Sequence, residues 1–299
     1  MVAVDGMRVD GPFIQTRDFD EFHVSGANID ALLERQRLEE PFRVLDLSEP
    51  QMGQGVRSAM FGLEIASGHH PNDLARYREL TGMVGSGMPE NLLQSPRLLA
   101  ILNVRYIIWP VRRFGTPQGL QPVSATQFSN GELFEAVYQV EDLPRARLVA
   151  QTEVVPDAGA VERLLDPEFP AATMVTVPEP LPLELGGGIP QGGVTWISRE
   201  TDRQELRVST DRSSLLVIAD NWYPAWQATV DGEEAAVFRV NHTLRGIPVP
   251  QGEHTVVVEF RSAPVRNGLL LSGLSGLLVL AVASGSWLRR RRPTDPGTG

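Results

Sequence analysis

Three aromatic side chains lie close together in the last third of the chain, next to two polar residues. Trp222, Tyr223 and Trp226 follow directly after Asp220 and Asn221. Flat aromatic faces stack on sugar rings, and a carboxylate and an amide can hydrogen-bond to sugar hydroxyls. The pattern therefore predicts a glycan-binding site made of these five residues. The simpler interpretation, which we favour, is that the rings pack a β-sandwich or its contact with the first part of the chain.

The histidines do not supply a metal site. His69 and His70 are adjacent and Asp73 is near them, but no third histidine is close in the sequence. Adjacent histidines rarely bind one ion together, and a stable site needs three or four ligands. We therefore expect these residues in a packed loop, and we predict no metal and no cofactor.

Several catalytic classes are excluded by residue types that the chain lacks. The sequence has no cysteine, which excludes disulfides, thiol catalysis and cysteine metal sites. It also has no lysine, which excludes a Walker-type phosphate loop and a Schiff-base lysine. No Ser–His–Asp arrangement stands out, and the glycines at 186–188 are not followed by a helical pattern. We predict no catalytic residue and no transferase activity for this chain alone.

One segment near the C-terminus has the length and composition of a membrane span. Residues 268–288 carry no charge and would form a helix of about 31 Å, close to the roughly 30 Å of a hydrocarbon core. Arg289 to Arg292 follow directly and mark the cytoplasmic side. We expect a single-pass cell-membrane protein with its bulk outside the cytoplasm and residues 289–299 inside. The alternative is a buried core helix of a protein that does not enter the membrane.

Two further features concern partners. The formal net charge of −10 argues against nucleic-acid binding. Within the span, Gly268, Ser272 and Gly276 are spaced by four and share one helix face, where another transmembrane helix can approach closely. The predicted partners are therefore the lipid bilayer, other membrane helices, and an envelope glycan or lipid-linked sugar.

The expected orientation conflicts with the start of the sequence. The N-terminus, beginning Met1 to Arg8, contains no apolar run of a signal peptide, so nothing there would carry a large domain across a membrane. Three explanations are open. The chain is the C-terminal part of a multispan protein, or its start is misplaced, or it is tail-anchored with the domain in the cytoplasm, which the arginine run argues against.

The elements that would position these residues indicate an α+β protein. Residues 1–177 read as a mixed α/β region, in which Ser95-Pro96 is a helix start and 104–109 is a buried strand. Residues 178–193 are rich in proline and glycine and read as a linker. Residues 194–262 contain seven short alternating segments with turns at Asp231-Gly232 and 250–252, which predicts a β-sandwich. The membrane helix follows.

Several segments together resemble the C-terminal half of the YfhO family of bacterial membrane proteins. They are 42–45 (FRVL), 68–77 (GHHPNDLARY), 102–108 (LNVRYII), 143–146 (LPRA), 164–170 (LLDPEFP), 216–232 (LVIADNWYPAWQATVDG) and 240–256 (VNHTLRGIPVPQGEHTV). Their order and spacing fit over most of the chain, although family members usually have glycine where Ala225 stands.

The resemblance implies a polytopic protein related to type C glycosyltransferases, which use lipid-phosphate-linked sugars outside the cytoplasm. In such proteins the catalytic acidic residue lies in a loop between N-terminal spans, which this chain lacks. The resemblance would therefore cover an accessory extracytoplasmic domain and the last helix. It also resolves the topological conflict, because the missing spans would deliver the domain across the membrane. The alternative is a stand-alone membrane-anchored envelope protein that only binds partners.

Overall fold

The computed structural model describes residues 24–48, 56–68, 74–83 and 89–290. Within these ranges the chain forms eight helices and fifteen strands, an α+β architecture that confirms the predicted class. The helices are α1 Ala27–Leu38, α2 Val56–Met60, α3 Ala75–Thr81, α4 Glu90–Gln94, α5 Pro96–Ile101, α6 Val111–Phe114, α7 Asp157–Leu165 and α8 Ala263–Arg290.

The strands form four sheets. Their bounds are β1 Arg43–Asp46, β2 Val104–Trp109, β3 Pro122–Gln127, β4 Leu133–Gln139, β5 Ala146–Val149, β6 Gln151–Val154, β7 Met174–Val177, β8 Gly192–Arg199, β9 Arg203–Thr210, β10 Ser214–Asn221, β11 Trp226–Val230, β12 Glu233–Ala235, β13 Phe238–Val240, β14 Leu244–Val249 and β15 Gly252–Phe260. The strand orders are β1-β2-β4-β3, β13-β14-β10-β5, β12-β11-β15-β9-β8 and β6-β7.

The first sheet is covered on one face by α1. Ile29 and Leu32 of that helix are buried against Phe42, Val44 and Tyr106. β2 is parallel to β1 and antiparallel to β4, so the sheet is mixed. The predicted strand at 104–109 is confirmed. Its burial alternates because Tyr106 and Ile108 are buried on the side of α1, whereas Ile107 and Trp109 on the other face are only partly buried against the larger core.

The largest core lies between the first and second sheets and is filled by the middle helices. Leu98 and Ile101 of α5 belong to it, together with Leu215 and Val217 of β10. The predicted start of α5 is confirmed, because the Leu98 amide donates to the Ser95 hydroxyl over 3.2 Å and Pro96 occupies the first turn.

The second and third sheets pack face to face and form the predicted sandwich. Its interior contains Leu206, Leu216, Ile247 and Val258, among other buried apolar residues. The sandwich also takes in β5, which lies before the proline- and glycine-rich segment and pairs with β10. The physical reason is that β10 is buried on both faces and lies between β14 and β5, so its second edge needs a partner.

The turn at Asp231-Gly232 joins β11 to β12 as predicted. Both residues have positive φ, 54° and 88°, which is the geometry of a two-residue type I′ hairpin turn. The turn lies at the end of β11 that is distant from Trp226.

α8 extends away from the folded domain. Its described side chains, from Ala263 to Ser284, are all exposed, and this stretch is the one candidate membrane span among the described residues. The alternative of a buried core helix is therefore wrong. The helix begins at Ala263, five residues before the predicted span starts at Gly268, because residues 263–267 belong to the same helix.

Candidate functional site

The interior of the sandwich changes from apolar to charged at one end. On β10, Leu216 and Ile218 face the sandwich, and the next inward position is the buried Asp220. On β14, Arg245 lies two residues before the inward-facing Ile247 and points to the same side of the sheet. Side chains on a strand alternate between the two faces, so Asp220 and Arg245 continue the core stripe as a buried polar layer.

The third sheet contributes to the same end. Gln204 precedes Leu206 on the inward face of β9, Trp226 opens β11, and Phe260 closes β15. Trp226 pairs with Phe260, and Gln204 pairs with Val258. Because Phe260 is three residues before the first residue of α8, this polar layer lies at the end of the sandwich where the candidate membrane span begins.

Asp220 is the centre of the layer. Its Oδ1 accepts from Arg43 Nη2 at 3.0 Å and from Arg145 Nη2 at 2.5 Å, and its Oδ2 accepts from Gln204 Nε2 at 2.9 Å. The fourth partner is Arg245, whose Nη2 lies 2.8 Å from Oδ2. A carboxylate has about four lone-pair positions. Three hydrogen bonds and the ion pair with Arg245 therefore surround both oxygens of Asp220.

The charge of Asp220 is fixed by these neighbours. Burial by itself would raise the pKa of the carboxyl, but attraction to Arg145, Arg43 and Arg245 outweighs burial and holds that pKa well below its usual range. Asp220 is therefore a permanent anion near neutral pH, and it organises the arginines rather than exchanging protons.

Arginines outnumber the carboxylates that face them. Glu64 is the second inner carboxylate, and it pairs with Arg145 at 2.6 Å and with Arg199. With Arg43 and Arg245, four arginines line the cavity together with three carboxylates, Asp220, Glu64 and the exposed Glu200. Burial lowers the pKa of Arg145 and of Arg245 to about 10, which still leaves both charged at neutral pH.

Several guanidinium nitrogens in this layer have no acceptor. Arg145 Nε and Nη1 and Arg245 Nε and Nη1 are buried without a hydrogen-bond partner in the described part of the chain, and so is Arg199 Nε. The side chains of Arg145 and Arg245 are only 3% and 2% exposed. Gln204 Oε1 in the same layer is likewise buried without a partner, and buried polar atoms without partners are costly.

An aromatic wall borders the arginines. The Arg245 guanidinium lies 3.9 Å from the Trp226 ring centroid, and Trp226 meets Phe260 edge-on at 5.3 Å. Tyr223 and Phe260 lie 6.1 Å apart and are 48% and 38% exposed. Since one face of Trp226 is taken by Arg245, the accessible aromatic surface is that of Tyr223 and Phe260.

These groups surround a cavity of about 690 Å³. Its lining residues are Arg43, Glu64, Leu74, Arg145, Arg199, Glu200, Thr201, Gln204, Asp220, Asn221, Tyr223, Trp226, Arg245 and Phe260. Of the five residues proposed from the sequence, Asp220, Asn221, Tyr223 and Trp226 line it. Asn221 Oδ1 also accepts from the Thr243 hydroxyl at 3.0 Å.

Trp222 lies elsewhere. Its indole N–H donates to the Val237 carbonyl at 2.8 Å, and its amide donates to the Thr243 carbonyl at 2.6 Å. These bonds tie β10 to the segment around β13, and Trp222 is not among the lining residues. This tryptophan therefore follows the packing interpretation, whereas Tyr223 and Trp226 reach the cavity.

The sequence interpretation missed the arginines and Glu64. Arg43 comes from the first sheet, and besides Asp220 its Nη1 donates to the carbonyls of Leu102 and Ala219. The sequence did contain a signal for Asp220 and Arg245. Both stand at alternate strand positions that continue a row of inward-facing apolar residues. That Arg43 and Arg145 meet them depends on long-range packing and has no local signature.

The residues considered for a metal site, His69, His70 and Asp73, lie outside the described residues. Within the described ranges, no group of three histidine or acidic side chains could hold a metal ion.

Comparisons with known proteins identify no relative. No family model, no curated protein and no solved structure matches the chain.

Proposed function

We propose that this chain is a membrane-anchored extracytoplasmic accessory domain of a YfhO-like, glycosyltransferase-related membrane protein. In this proposal it supports sugar transfer to cell-envelope polymers by holding a saccharide close to the membrane, and the catalytic centre lies in other spans. The supporting observation is a cavity with an exposed aromatic wall, Tyr223 and Phe260, at the end of the sandwich where α8 begins.

The segments that carry the family resemblance meet at this cavity. Arg43 belongs to 42–45, Arg145 to 143–146, Asp220 to 216–232 and Arg245 to 240–256. These segments are separated by up to about two hundred residues of sequence, yet each contributes one charged group to a single buried layer. Their convergence supports a shared site.

The proposed orientation rests on charge and exposure. α8 is exposed from Ala263 to Ser284 and carries only apolar or small side chains after Asn267, which suits contact with lipid or with other membrane helices through Gly268, Ser272 and Gly276. Arg289 to Arg292 favour a cytoplasmic C-terminus. Protease added to intact spheroplasts should digest the domain, and full protection of the domain would contradict this orientation.

Saccharide binding is tested on the full chain in phosphatidylcholine nanodiscs. Saturation-transfer NMR with neutral tetrasaccharides should show sugar protons close to protein aromatic protons, and Tyr223→Ala should reduce that transfer several-fold. Phe114→Ala is the matched control, because Phe114 is a similarly exposed ring outside the cavity. Equal transfer in the two variants would reject the aromatic wall as the binding surface.

The second candidate is a stand-alone envelope protein that binds partners without any link to sugar transfer. It shares the single candidate span among the described residues with the first candidate. Genomic DNA directly upstream of Met1 separates the two, because open-frame membrane spans there support the accessory domain and their absence supports the stand-alone protein.

A further inference from the structure

The turn between β3 and β4 contains an asparagine that is followed by glycine. Asn130 and Gly131 are both exposed there. In such a pair the backbone nitrogen of the glycine can attack the side-chain amide carbon of the asparagine and close a five-membered ring. A side chain on the second residue hinders this attack, and glycine has none. Apart from its chain neighbours, nothing lies within 4 Å of the position that a Cβ of Gly131 would take, so the surroundings are open.

The Asn130 side chain is bonded along its own turn. Its Oδ1 accepts from the Glu132 amide at 3.0 Å, and its Nδ2 donates to Glu132 Oε2 at 3.4 Å. Because both partners belong to the residue two positions further on, the side chain folds forward over the peptide of Gly131. The hydrogen bond to Oδ1 also draws electron density from the amide carbon, which is the atom that is attacked.

One hydrogen bond opposes the reaction. The Gly131 amide donates to the Phe128 carbonyl at 2.9 Å, and this bond must open before the nitrogen can attack. All residues from 126 to 132 are exposed, and hydrogen bonds in exposed turns open at a low cost in free energy. The bond therefore slows the reaction without preventing it.

Asp231-Gly232 is a comparable pair, because aspartate before glycine closes the same ring, but its side chain is held differently. Its Oδ1 accepts from the Thr255 amide at 2.8 Å, and its Oδ2 lies 2.7 Å from His254 Nδ1. Both partners belong to β15, so the carboxylate is drawn toward that strand rather than along its own turn. The hydrogen bond from His254 also lowers the pKa of Asp231, and an ionised carboxylate resists attack by a nitrogen nucleophile.

Asn267-Gly268 is the second asparagine–glycine pair in the described chain, and it lies inside α8. In a regular helix the backbone amides donate to carbonyls four residues earlier, and the backbone holds an asparagine amide carbon away from the next nitrogen. Among the described pairs, Asn130-Gly131 alone combines an exposed turn with a side chain bonded along that turn.

We infer that Asn130 is a site of spontaneous deamidation. The Gly131 nitrogen forms a bond to Asn130 Cγ, the bond from Cγ to the side-chain nitrogen breaks, and ammonia leaves with the proton of the Gly131 amide. Solvent water then adds to one of the two ring carbonyls and opens the ring to aspartate or isoaspartate. No group is oxidised or reduced. The inference is independent of the proposed function, which does not involve this end of the first sheet.

Both products add a carboxylate to the turn. It stands where the amide of Asn130 now donates to Glu132, so two like charges come to face each other. Isoaspartate also lengthens the main chain by one methylene. The Phe128 amide donates to the Glu132 carbonyl at 2.9 Å, and the Phe128 ring meets Phe134 edge-on at 5.2 Å. The modified turn is therefore looser and more acidic, and Phe128 is less firmly held.

The test follows the full chain in phosphatidylcholine nanodiscs at pH 8.5 by peptide mass spectrometry. In oxygen-18-labelled water, the peptide that contains Asn130 should exchange its side-chain nitrogen for one labelled oxygen. Its rate should be at least tenfold that of the peptide that contains Asn267. Fragmentation should assign the products to aspartate and isoaspartate at position 130. Asn130→Gln should remove the mass change, because the corresponding six-membered ring closes much more slowly.

Two synthetic peptides separate the effect of the fold from that of the local sequence. Residues 127–133 and 264–270 contain the same asparagine–glycine pair, and as free peptides they should convert at rates within about threefold of each other. Equal conversion of both sites in the folded chain, or an equally large difference between the free peptides, would overturn the structural argument. Absence of label at position 130 after the free peptide 127–133 has converted completely would overturn the site itself.

Discussion

Asp220 neutralises arginines that would otherwise be buried side by side. Arg43, Arg145 and Arg245 all contact its two oxygens, and Gln204 completes the set. Removing one partner of a buried ionic network leaves charges without compensation, which typically costs about 3–5 kcal/mol. We therefore expect Asp220→Asn to lower the free energy of unfolding by roughly that amount, measured by denaturation of the detergent-solubilised protein. A loss below about 1 kcal/mol would contradict this role.

The same carboxylate makes stability depend on acid. The pKa of Asp220 is lowered in the folded protein, so its stabilising contribution is fully present above the unfolded pKa of about 3.9 and is lost as the pH falls below that value. Between pH 5 and pH 2 the melting temperature of the wild type should therefore fall more steeply than that of Asp220→Asn. Parallel curves would contradict the lowered pKa.

Arg147 is also buried, and unlike Arg43, Arg145 and Arg245 it has no ion-pair partner in the described chain. Its Nη2 donates to the Ala171 carbonyl at 3.3 Å, and its Nε and Nη1 have no partner there. Burial lowers its pKa to about 10. Since no carboxylate offsets the cost of burying this charge, Arg147→Met should raise stability, by about 1 kcal/mol.

The neighbouring arginine is the matched control for that substitution. Arg145 lies two residues away and pairs with both Asp220 and Glu64. Arg145→Met should destabilise the protein by about 3 kcal/mol or more. Thermal melting of both variants tests this expectation. If Arg147→Met is destabilised, the packing of the arginine side chain contributes more stability than the burial of its charge removes.

Local sequence predicted some of these residues and missed others for identifiable reasons. Tyr223 and Trp226 were found because aromatic residues with adjacent polar groups form a local pattern. Arg43 and Arg145 were missed because they lie 177 and 75 positions from Asp220 in the sequence. No periodicity links residues so far apart, and only the packing of the first sheet against β10 brings them together.

The sandwich depends on a strand from outside the predicted segment. β5 pairs with β10 from Leu215 to Ile218, and it lies before the linker at 178–193. Strand positions within 194–262 were predictable from alternation and turns. The contribution of β5 was not predictable, because pairing between two strands that are distant in the sequence produces no recognisable pattern in either strand.

A fragment containing only residues 178–262 should therefore not fold by itself. Without β5, the edge of β10 is unpaired, and Leu215 and Val217 lose the core that covers their outer face. We expect the fragment to aggregate or to show no cooperative melting, whereas residues 24–262 should melt cooperatively. Circular dichroism during heating distinguishes these outcomes, and a cooperative transition in the short fragment would establish an independent domain.

With α8 as the proposed membrane span, the junction before it determines where the cavity lies relative to the membrane. The Arg261 amide donates to the Ala225 carbonyl at 2.8 Å, and the Phe260 amide donates to the Asp202 carbonyl at 2.8 Å. These bonds fix the last residues before the helix to the domain. The opposite end of the sandwich, near Thr210, lies about 23 Å away along β9.

The cavity should therefore lie near the lipid headgroups and the far end should not. The chain has no cysteine, so a fluorophore can be attached at one chosen position. Tyr223→Cys labels the rim of the cavity, and Ile189→Cys labels an exposed site close to the strand pair Gly192 and Thr210 at the far end. In nanodiscs with headgroup-attached quenchers, the label at 223 should be quenched strongly and the label at 189 weakly. Equal quenching would mean that the domain lies flat on the bilayer, and the cavity would then have no special access to membrane-bound saccharides.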